Sequence, residues 1–442
     1  MKQHHVFGET IFALSSGRLP AGVAVIRISG PQTRFVIETI SGILPDARSA
    51  LLRTFRDRQG NPIDRGLVLF FPGPQSFTGE DCGELHLHGG KAVVDAMLTA
   101  LYSFEHCRLA EAGEFTRRAF GNGKFDLTVA EGLADLIAAE TDSQRRLALQ
   151  ITSGVQTQLY ASWRTELIRA RALIEADLDF ADESDVPGSV SDRVWPEIKD
   201  LANRIGRHVA DGKRGAMIRD GYRVVIVGAP NAGKSSLLNV LAGSDVAIVS
   251  DEPGTTRDLI EVRLDLGGLP VLVTDTAGLR QTDGKVEQIG IERALQRAAS
   301  ADLVLALTDL SNPVEAHLPD VDECAILRVG TKADLVPAAK GHDLVISTRT
   351  DDGIAKLLAV LTERSSAAAG SLSDPLPTRR RHMELLLETC REINAAIEGT
   401  TVPIEVRAEY LRRASQSLGR ITGDVDVEDI LDVVFSQFCI GK

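Results

Sequence analysis

The nine residues "GAPNAGKSS" (Gly228–Ser236) set two glycines and a lysine at the spacing G-x-x-x-x-G-K-[ST]. Glycines there let successive backbone N–H groups close around phosphate oxygens with no Cβ in the way. In such a loop Lys234 reaches the β and γ phosphates and the Ser235 hydroxyl holds Mg²⁺, with Asn231, Ala232, Gly233 and Ser236 lining the turn. The context the motif requires is present: an apolar strand over 223–227 before it and a helix over 237–242 after it. Three further pieces follow in order. "PGTTRD" (Pro253–Asp258) carries hydroxyls, of which Thr256 is placed to complete a Mg²⁺ shell. "DTAG" (Asp275–Gly278) ends a strand, setting Asp275 near the metal, the Gly278 N–H near the γ phosphate, and Thr276 and Ala277 between them. "TKAD" (Thr331–Asp334) contributes Lys332 and a carboxylate, Asp334, able to accept both N–H groups of a guanine edge. Ser347 and Thr348, at the end of the next apolar run, join this base side. The four pieces together point to GTP rather than ATP.

Two positions depart from the common GTPase pattern. Leu279 follows "DTAG" where a Ras-type enzyme has the glutamine that orients the attacking water. Thr331 stands where most GTPases have asparagine, which predicts a weaker hold on the base or on the phosphate loop. His86 and His88 lie two apart in "ELHLHGG", on one side of a strand, without an evident third metal ligand, so a structural role is expected. The run Arg379–Arg381 reads as a solvated helix start, with nucleic-acid contact as the alternative.

These residues must be positioned by several modules, because 442 residues exceed one core at ~100–200 residues per domain. Residues 1–120 read as a small α+β domain, with strand-like "VAVIRISG" and "LVLFF" around the turn-rich "FPGPQSFTGED". From 121 to 215 apolar residues recur at three- and four-residue steps, as at Leu133, Leu136 and Ile137, which predicts amphipathic helices. Over 216–375 apolar strands alternate with helices, which predicts a mostly parallel sheet with helices on both faces. "SSAAAGSLSDPLPT" (Ser365–Thr378) reads as a linker, and helices return over 376–442. The fold class is therefore multidomain, α/β plus α, and the two helical blocks read as one domain interrupted by the α/β module.

A net charge of −13, from 49 basic and 62 acidic side chains, confines any nucleic-acid contact to a local patch or to a partner. Five cysteines without C-x-x-C spacing suit a reducing, cytoplasmic setting and disfavour a disulfide framework or zinc site. No stretch has the ~20 consecutive apolar residues of a membrane span.

Over essentially its whole length the chain resembles the MnmE (TrmE) family of tRNA-modifying GTPases. The matching pieces are "RISGPQ", "FPGPQSFTGED", "HGG", "GEFTRRAF", "PNAGKSSLLN", "GTTRD", "DTAGLR", "VEQIGIERA" and the final "FCIGK". The resemblance implies an N-terminal folate-binding and dimerising domain, a helical domain, and a Ras-like GTPase domain inserted in it. It implies a homodimer working with MnmG, an FAD- and NADH-using partner, in a heterotetramer or larger complex. The product is an aminomethyl-type group on the wobble uridine of tRNA, its carbon supplied by a formyl or methylene tetrahydrofolate. It also implies K⁺-dependent pairing of GTPase domains, with Asn231, Ser250, Glu252 and Thr255 as K⁺ ligands and Glu287 positioning water in place of the missing glutamine. Arg280 joins Lys234 and Glu287 among the catalytic candidates. The folate residues map onto Arg27, Glu84, Lys124 and Lys442, chemically apt because a pterin edge suits a carboxylate and a glutamate tail suits cations.

The terminal "CIGK" lacks the aliphatic third residue and the terminal residue a prenylation motif needs, so no lipid anchor is expected. The preceding run repeats Ile430, Leu431, Val434 and Phe438 and is expected to pack, carrying Cys439 and Lys442 to a fixed place. Cys439 is left as either a nucleophile of the modification or a structural neighbour. The rival functional reading is an RNA-binding switch of the Era type, which shares "PNAGKS" and "DTAG"; the helices after the GTPase domain lack a recognisable RNA-binding module.

Overall fold

Period-two burial in the first strands decides the architecture of the N-terminal part. In the computed structural model, which describes residues 8–179, 190–248, 261–275, 301–314, 325–336, 341–371, 375–399, 401–425, 428–436, 438 and 441, the chain clusters into two compact units. One comprises Met1–Ala134, Thr152–Arg169 and Arg412–Lys442; the other comprises Asp135–Ile151 and Ala170–Leu411.

The first unit holds a six-stranded sheet of β1 (Thr10–Leu14), β2 (Ala21–Ser29), β3 (Leu51–Arg56), β4 (Pro62–Phe71), β5 (Cys82–Gly89) and β6 (Cys107–Leu109), in the order β3-β4-β5-β2-β1-β6. All pairs are antiparallel except β1 with β6. Ala24, Ile26 and Ile28 of β2 and Leu85 and Leu87 of β5 alternate onto one face. That face is covered by Val36, Ile37 and Ile40 of helix Thr33–Ser41 and by Val94, Met97 and Leu101 of helix Lys91–Tyr102. The intervening residues, Arg27 and Glu84 among them, must then emerge on the other face. The terminal helix, Glu428–Phe435, packs as expected: Phe435 and Phe438 join Leu127, Ala130 and Phe120 in one apolar cluster. Beyond it, the Gly441 carbonyl accepts a hydrogen bond from Ser15 Oγ at 2.8 Å.

The second unit holds β7 (Tyr222–Gly228), β8 (Glu261–Leu266), β9 (Leu269–Asp275), β10 (Leu303–Asp309), β11 (Ala325–Thr331) and β12 (Leu344–Val345), in the order β12-β11-β10-β7-β9-β8. Its strands are parallel apart from the β8–β9 hairpin. Val224 and Ile226 point into one apolar cluster with Leu237 and Leu305, and Val225 and Val227 into another with Val304 and Ala306. Burial of both faces is what makes these strands read as continuous apolar runs.

Three local expectations are corrected. The apolar runs expected as strands, 224–227, 271–275, 303–308, 325–329 and 344–347, leave out β8, whose "EVRLDL" alternates polar and apolar residues as a sheet edge does. β12 stops at Val345 rather than reaching Ser347, whose hydroxyl is drawn into side-chain bonding. The expected linker begins as helix: Ile354–Ala369 continues through its first five residues, "SSAAA", since alanine is the best helix former, and ends at Gly370. After it, Leu376 is buried and Gly215 abuts the Pro377 backbone so closely that a Cβ would lie 2.3 Å from its carbonyl oxygen. Helix Val190–Ala210, before the α/β module, packs along helix Arg380–Glu398 after it.

Gly113 adopts φ +68 and a Cβ there would lie 2.3 Å from the Phe435 carbonyl oxygen, whereas Gly42, at φ +78, has open space. Left-handed backbone alone costs an alanine ~1 kcal/mol, so Gly42→Ala is expected to lose about that, and Gly113→Ala ~2 kcal/mol or more. Equal losses in denaturant unfolding would show that the terminal helix is not held against Gly113.

Candidate functional site

At the end of β7 the chain must leave the sheet without colliding with β10: a Cβ on Gly228 would lie 2.8 Å from the Leu307 carbonyl oxygen. The loop then takes left-handed backbone at Asn231 (φ 65) and Gly233 (φ 91), and helix Lys234–Ala242 begins. Its free N–H groups and positive dipole end make this an anion site. Lys234 folds over the loop, its Nζ donating to the Gly228 carbonyl at 2.8 Å and the Ala229 carbonyl at 2.9 Å. Burial holds its ammonium below the ordinary lysine value while Asp275 pulls the other way. Ser235 Oγ donates to Asp275 Oδ2 at 3.1 Å. A hydroxyl and a buried carboxylate in contact form the hard oxygen set that Mg²⁺ accepts. Asn231 is exposed on the loop, and Ser236 is exposed on the helix.

On the base side, Thr331 Oγ1 donates to the Ala232 carbonyl at 2.8 Å. Of the two contacts in question where threonine stands for asparagine, the tie to the phosphate loop is therefore present: a β-branched hydroxyl is long enough for it. Asp334 accepts from Ser347 Oγ at 2.8 Å, and that hydroxyl in turn receives the Arg349 and Thr350 N–H groups at 3.2 and 3.3 Å. Thr348 beside it is half-buried. The phosphate loop, the Ser235–Asp275 contact and Asp334 thus line the C-terminal edge of one sheet, where open α/β folds bind ligands. Ser250, Glu252, Thr255, Thr256, Thr276, Ala277, Gly278, Arg280 and Glu287 lie outside the described residues, as do Cys439 and Lys442.

In the first unit Arg27 and Glu84 are register partners on β2 and β5, joined at 3.0 Å and each about one-fifth exposed. Phe77 and Phe115 flank the guanidinium at 5.3 and 5.9 Å, and His86 Nε2 stands 3.3 Å from Glu84 Oε2. The loop bearing Phe77 is fixed by a buried network: Ser29 Oγ meets Thr78 Oγ1 at 2.7 Å and Glu80 Oε2 at 2.7 Å, and Arg118 binds Glu80 at 3.1 Å and Glu114 at 3.0 Å. Arg27, Glu84 and the half-buried Phe77 offer a cation, a carboxylate and one ring suited to a flat heterocycle with donor and acceptor edges, while the fully buried Phe115 supports the guanidinium from the core. Lys124 is not part of this pair; its Nζ donates to the Pro74 carbonyl at 2.7 Å. His88 binds Asp64 at 2.9 Å and is largely exposed, and among the described residues no three metal-ligating groups cluster. Phe77, Phe115 and His86 went unpredicted as site residues. The Glu84–His86 alternation carried a signal for one of them; Phe77 and Phe115 lie inside the quoted "FPGPQSFTGED" and "GEFTRRAF" pieces, but nothing local ties either ring to Arg27.

The family model for the TrmE N-terminus of GTP-binding proteins matches residues 10–124, and the MnmE helical-domain model matches residues 127–439. The chain belongs to the MnmE (TrmE) family. It is 63% identical over 435 residues to the tRNA modification GTPase MnmE of Brucella anthropi, covering 98% of each chain. It is 65% identical over 437 residues to the MnmE of Brucella ovis, covering 99% of each. Among solved structures, Aquifex aeolicus Era bound to GDP.AlF4- is similar over 38% of this chain and 66% of its own, at 21% identity and a TM-score of 0.27. As an MnmE-family member the chain is a GTP hydrolase acting in tRNA modification, built as a multidomain α/β and α protein. No helix among the described residues is long and apolar enough to cross a membrane.

Removing the Thr331 hydroxyl strips a donor from the Ala232 carbonyl. Loss of one such bond costs ~1 kcal/mol, so Thr331→Ala is expected to weaken GDP binding ~5-fold and Thr331→Ser to restore most of it. Unchanged affinity in titration calorimetry would show the tie does not support the loop.

Proposed function

We propose that the chain is a K⁺-dependent GTPase that, with the FAD-containing partner MnmG, installs a carboxymethylaminomethyl or aminomethyl group on the wobble uridine of tRNA. The one-carbon donor is a formyl or methylene tetrahydrofolate. The reading is supported by one observation above the rest: a phosphate loop with a Ser235–Asp275 metal pair, and a separate Arg27–Glu84 pair flanked by rings, occur in one chain. The domain reading is residues 1–120 for folate binding and dimerisation, 121–215 and 376–442 for the helical domain, and 216–375 for GTP hydrolysis. A cytoplasmic homodimer follows the same reading, and the Era-type rival has no support in the full-length match to MnmE relatives.

In hydrolysis Lys234 exchanges the Gly228 and Ala229 carbonyls for phosphate oxygens; the Gly233–Ser236 N–H groups hold those oxygens. Ser235 and Asp275, with Thr256, would hold Mg²⁺. Asn231, Ser250, Glu252 and Thr255 would hold K⁺, whose positive charge would offset the negative charge that develops as GTP is cleaved. Glu287 orients the attacking water, taking the part of the glutamine that Leu279 replaces, and Arg280 belongs to the same segment. Asp334 accepts the guanine N–H groups, with Ser347 fixing its orientation. In the other unit Glu84 takes the donor edge of the pterin, Arg27 its acceptor edge, and Lys124 and Lys442 its glutamate tail. Gly441 is held at the end of β1, one strand from Arg27, which is consistent with Lys442 serving this site.

GTP turnover of the full chain in KCl is expected to exceed that in NaCl by ~100-fold, the size of a single transition-state charge contact. Equal rates in the two salts would remove the K⁺ mechanism and leave an ordinary slow GTPase.

A further inference from the structure

Lys332, the second residue of "TKAD", has a partner outside the motif. Its Nζ bonds Asp309 Oδ2, on the neighbouring parallel strand, where Asp309 and Thr331 are register partners. The other carboxylate oxygen of Asp309 is occupied by the Ser311 N–H at 2.9 Å and Ser311 Oγ at 2.6 Å. Lys332 itself sits in left-handed backbone (φ 58), uncommon for a side chain other than glycine. That turn is fixed from two sides, by Leu335 N–H donating to the Lys332 carbonyl at 2.9 Å and Ala333 N–H to the Ile346 carbonyl at 3.1 Å. The lysine stem is thereby stretched from the end of β11 to the end of β10, between the Thr331–Ala232 tie and the Asp334–Ser347 pair.

We propose that Asp309 is a positioning residue for nucleotide binding: by anchoring Lys332 Nζ it holds the four-carbon stem as the apolar wall against which the purine ring lies. The proposal rests on the reading of Asp334 as the guanine acceptor. Burial works against the charge of Asp309, yet the Lys332 and Ser311 bonds hold its pKa down to about 2, so the anchor is ionised throughout the working pH range. Lys332 is about one-third exposed and Asp309 about one-eighth, and a pair so open to water adds little to folding stability. Its effect is instead expected in binding. A lysine that must be ordered at the moment a ligand arrives weakens affinity; one already stretched into place does not.

The test uses the full-length chain and fluorescent methylanthraniloyl GDP, with IDP, which lacks the 2-amino group, as competitor. Asp309→Asn is expected to raise the dissociation constants of GDP and IDP by the same factor, ~3- to 10-fold, from the cost of ordering one long side chain. KM for GTP is expected to rise in step while kcat changes far less. Because Asp309 acts through Lys332, adding Asp309→Asn to Lys332→Met is expected to change nothing further, within ~2-fold of the single Lys332→Met variant. Lys332→Arg, which keeps a cation able to reach the carboxylate, is expected to bind near wild type. The proposal is overturned if Asp309→Asn leaves both constants unchanged, if it costs the same factor with methionine at 332, or if the arginine and methionine variants bind alike. The last comparison stands even where Asp309→Asn does not fold. Asp334→Asn, assayed on GDP against XDP, tests the base reading separately: an unshifted preference there would refute that reading while leaving the non-additivity to decide the role of Asp309.

Discussion

The hydroxyl of Thr331 bound to the carbonyl of Ala232 is the constraint on which the nucleotide site depends. Phosphates and base sit at opposite ends of one ligand, so the loops that grip them must keep a fixed separation. Those loops leave β7 and β11, which are not neighbours but flank β10, a span of ~10 Å at the usual strand spacing. The phosphate loop folds back over the end of β10 until a Cβ on Gly233 would lie 3.7 Å from Thr331, and there the buried hydroxyl ties the two loops together. Its neighbours are arranged around it: Gly228 lets β7 turn away beside β10, and Gly330 gives up its side chain to Leu310, whose Cδ2 would stand 2.7 Å from a Cβ.

How much of this was legible in the sequence follows from whether the signal is local. The phosphate loop is nine contiguous residues whose chemistry is in their backbone, and it folds as the motif predicts. The Thr331 substitution looked like a defect because its partner, Ala232, is 99 residues away. Asp309 was invisible for the same reason: it is one carboxylate at the end of an apolar run until strand pairing sets it beside Thr331. The β8 edge strand was missed because an alternating, half-polar strand resembles a surface loop when buried strands are the template. The linker was overextended because small residues mark both flexible chain and the end of an alanine-rich helix.

In the first unit, resemblance supplied Arg27 and Glu84, yet physics alone accounts for where they sit. Alternation commits Ile26 and Ile28 to the core face, so Arg27 must take the other, and the β2–β5 register then sets Glu84 opposite it. An ion pair one-fifth exposed, with Phe77 and Phe115 at its flanks, is shielded enough to matter and open enough to be reached. What holds Phe77 there is the Arg118 network, built around a fully buried guanidinium no composition argument would predict.

The central claim is that one chain joins GTP hydrolysis to chemistry on the wobble uridine of tRNA through a second, folate-type site. Nucleoside mass spectrometry of tRNA from cells lacking the chain, complemented with wild type or with Glu84→Gln, tests it most directly. The account predicts an unmodified wobble uridine in the deletion, restored by wild type and not by Glu84→Gln. Fully modified uridine in the deletion strain would contradict it.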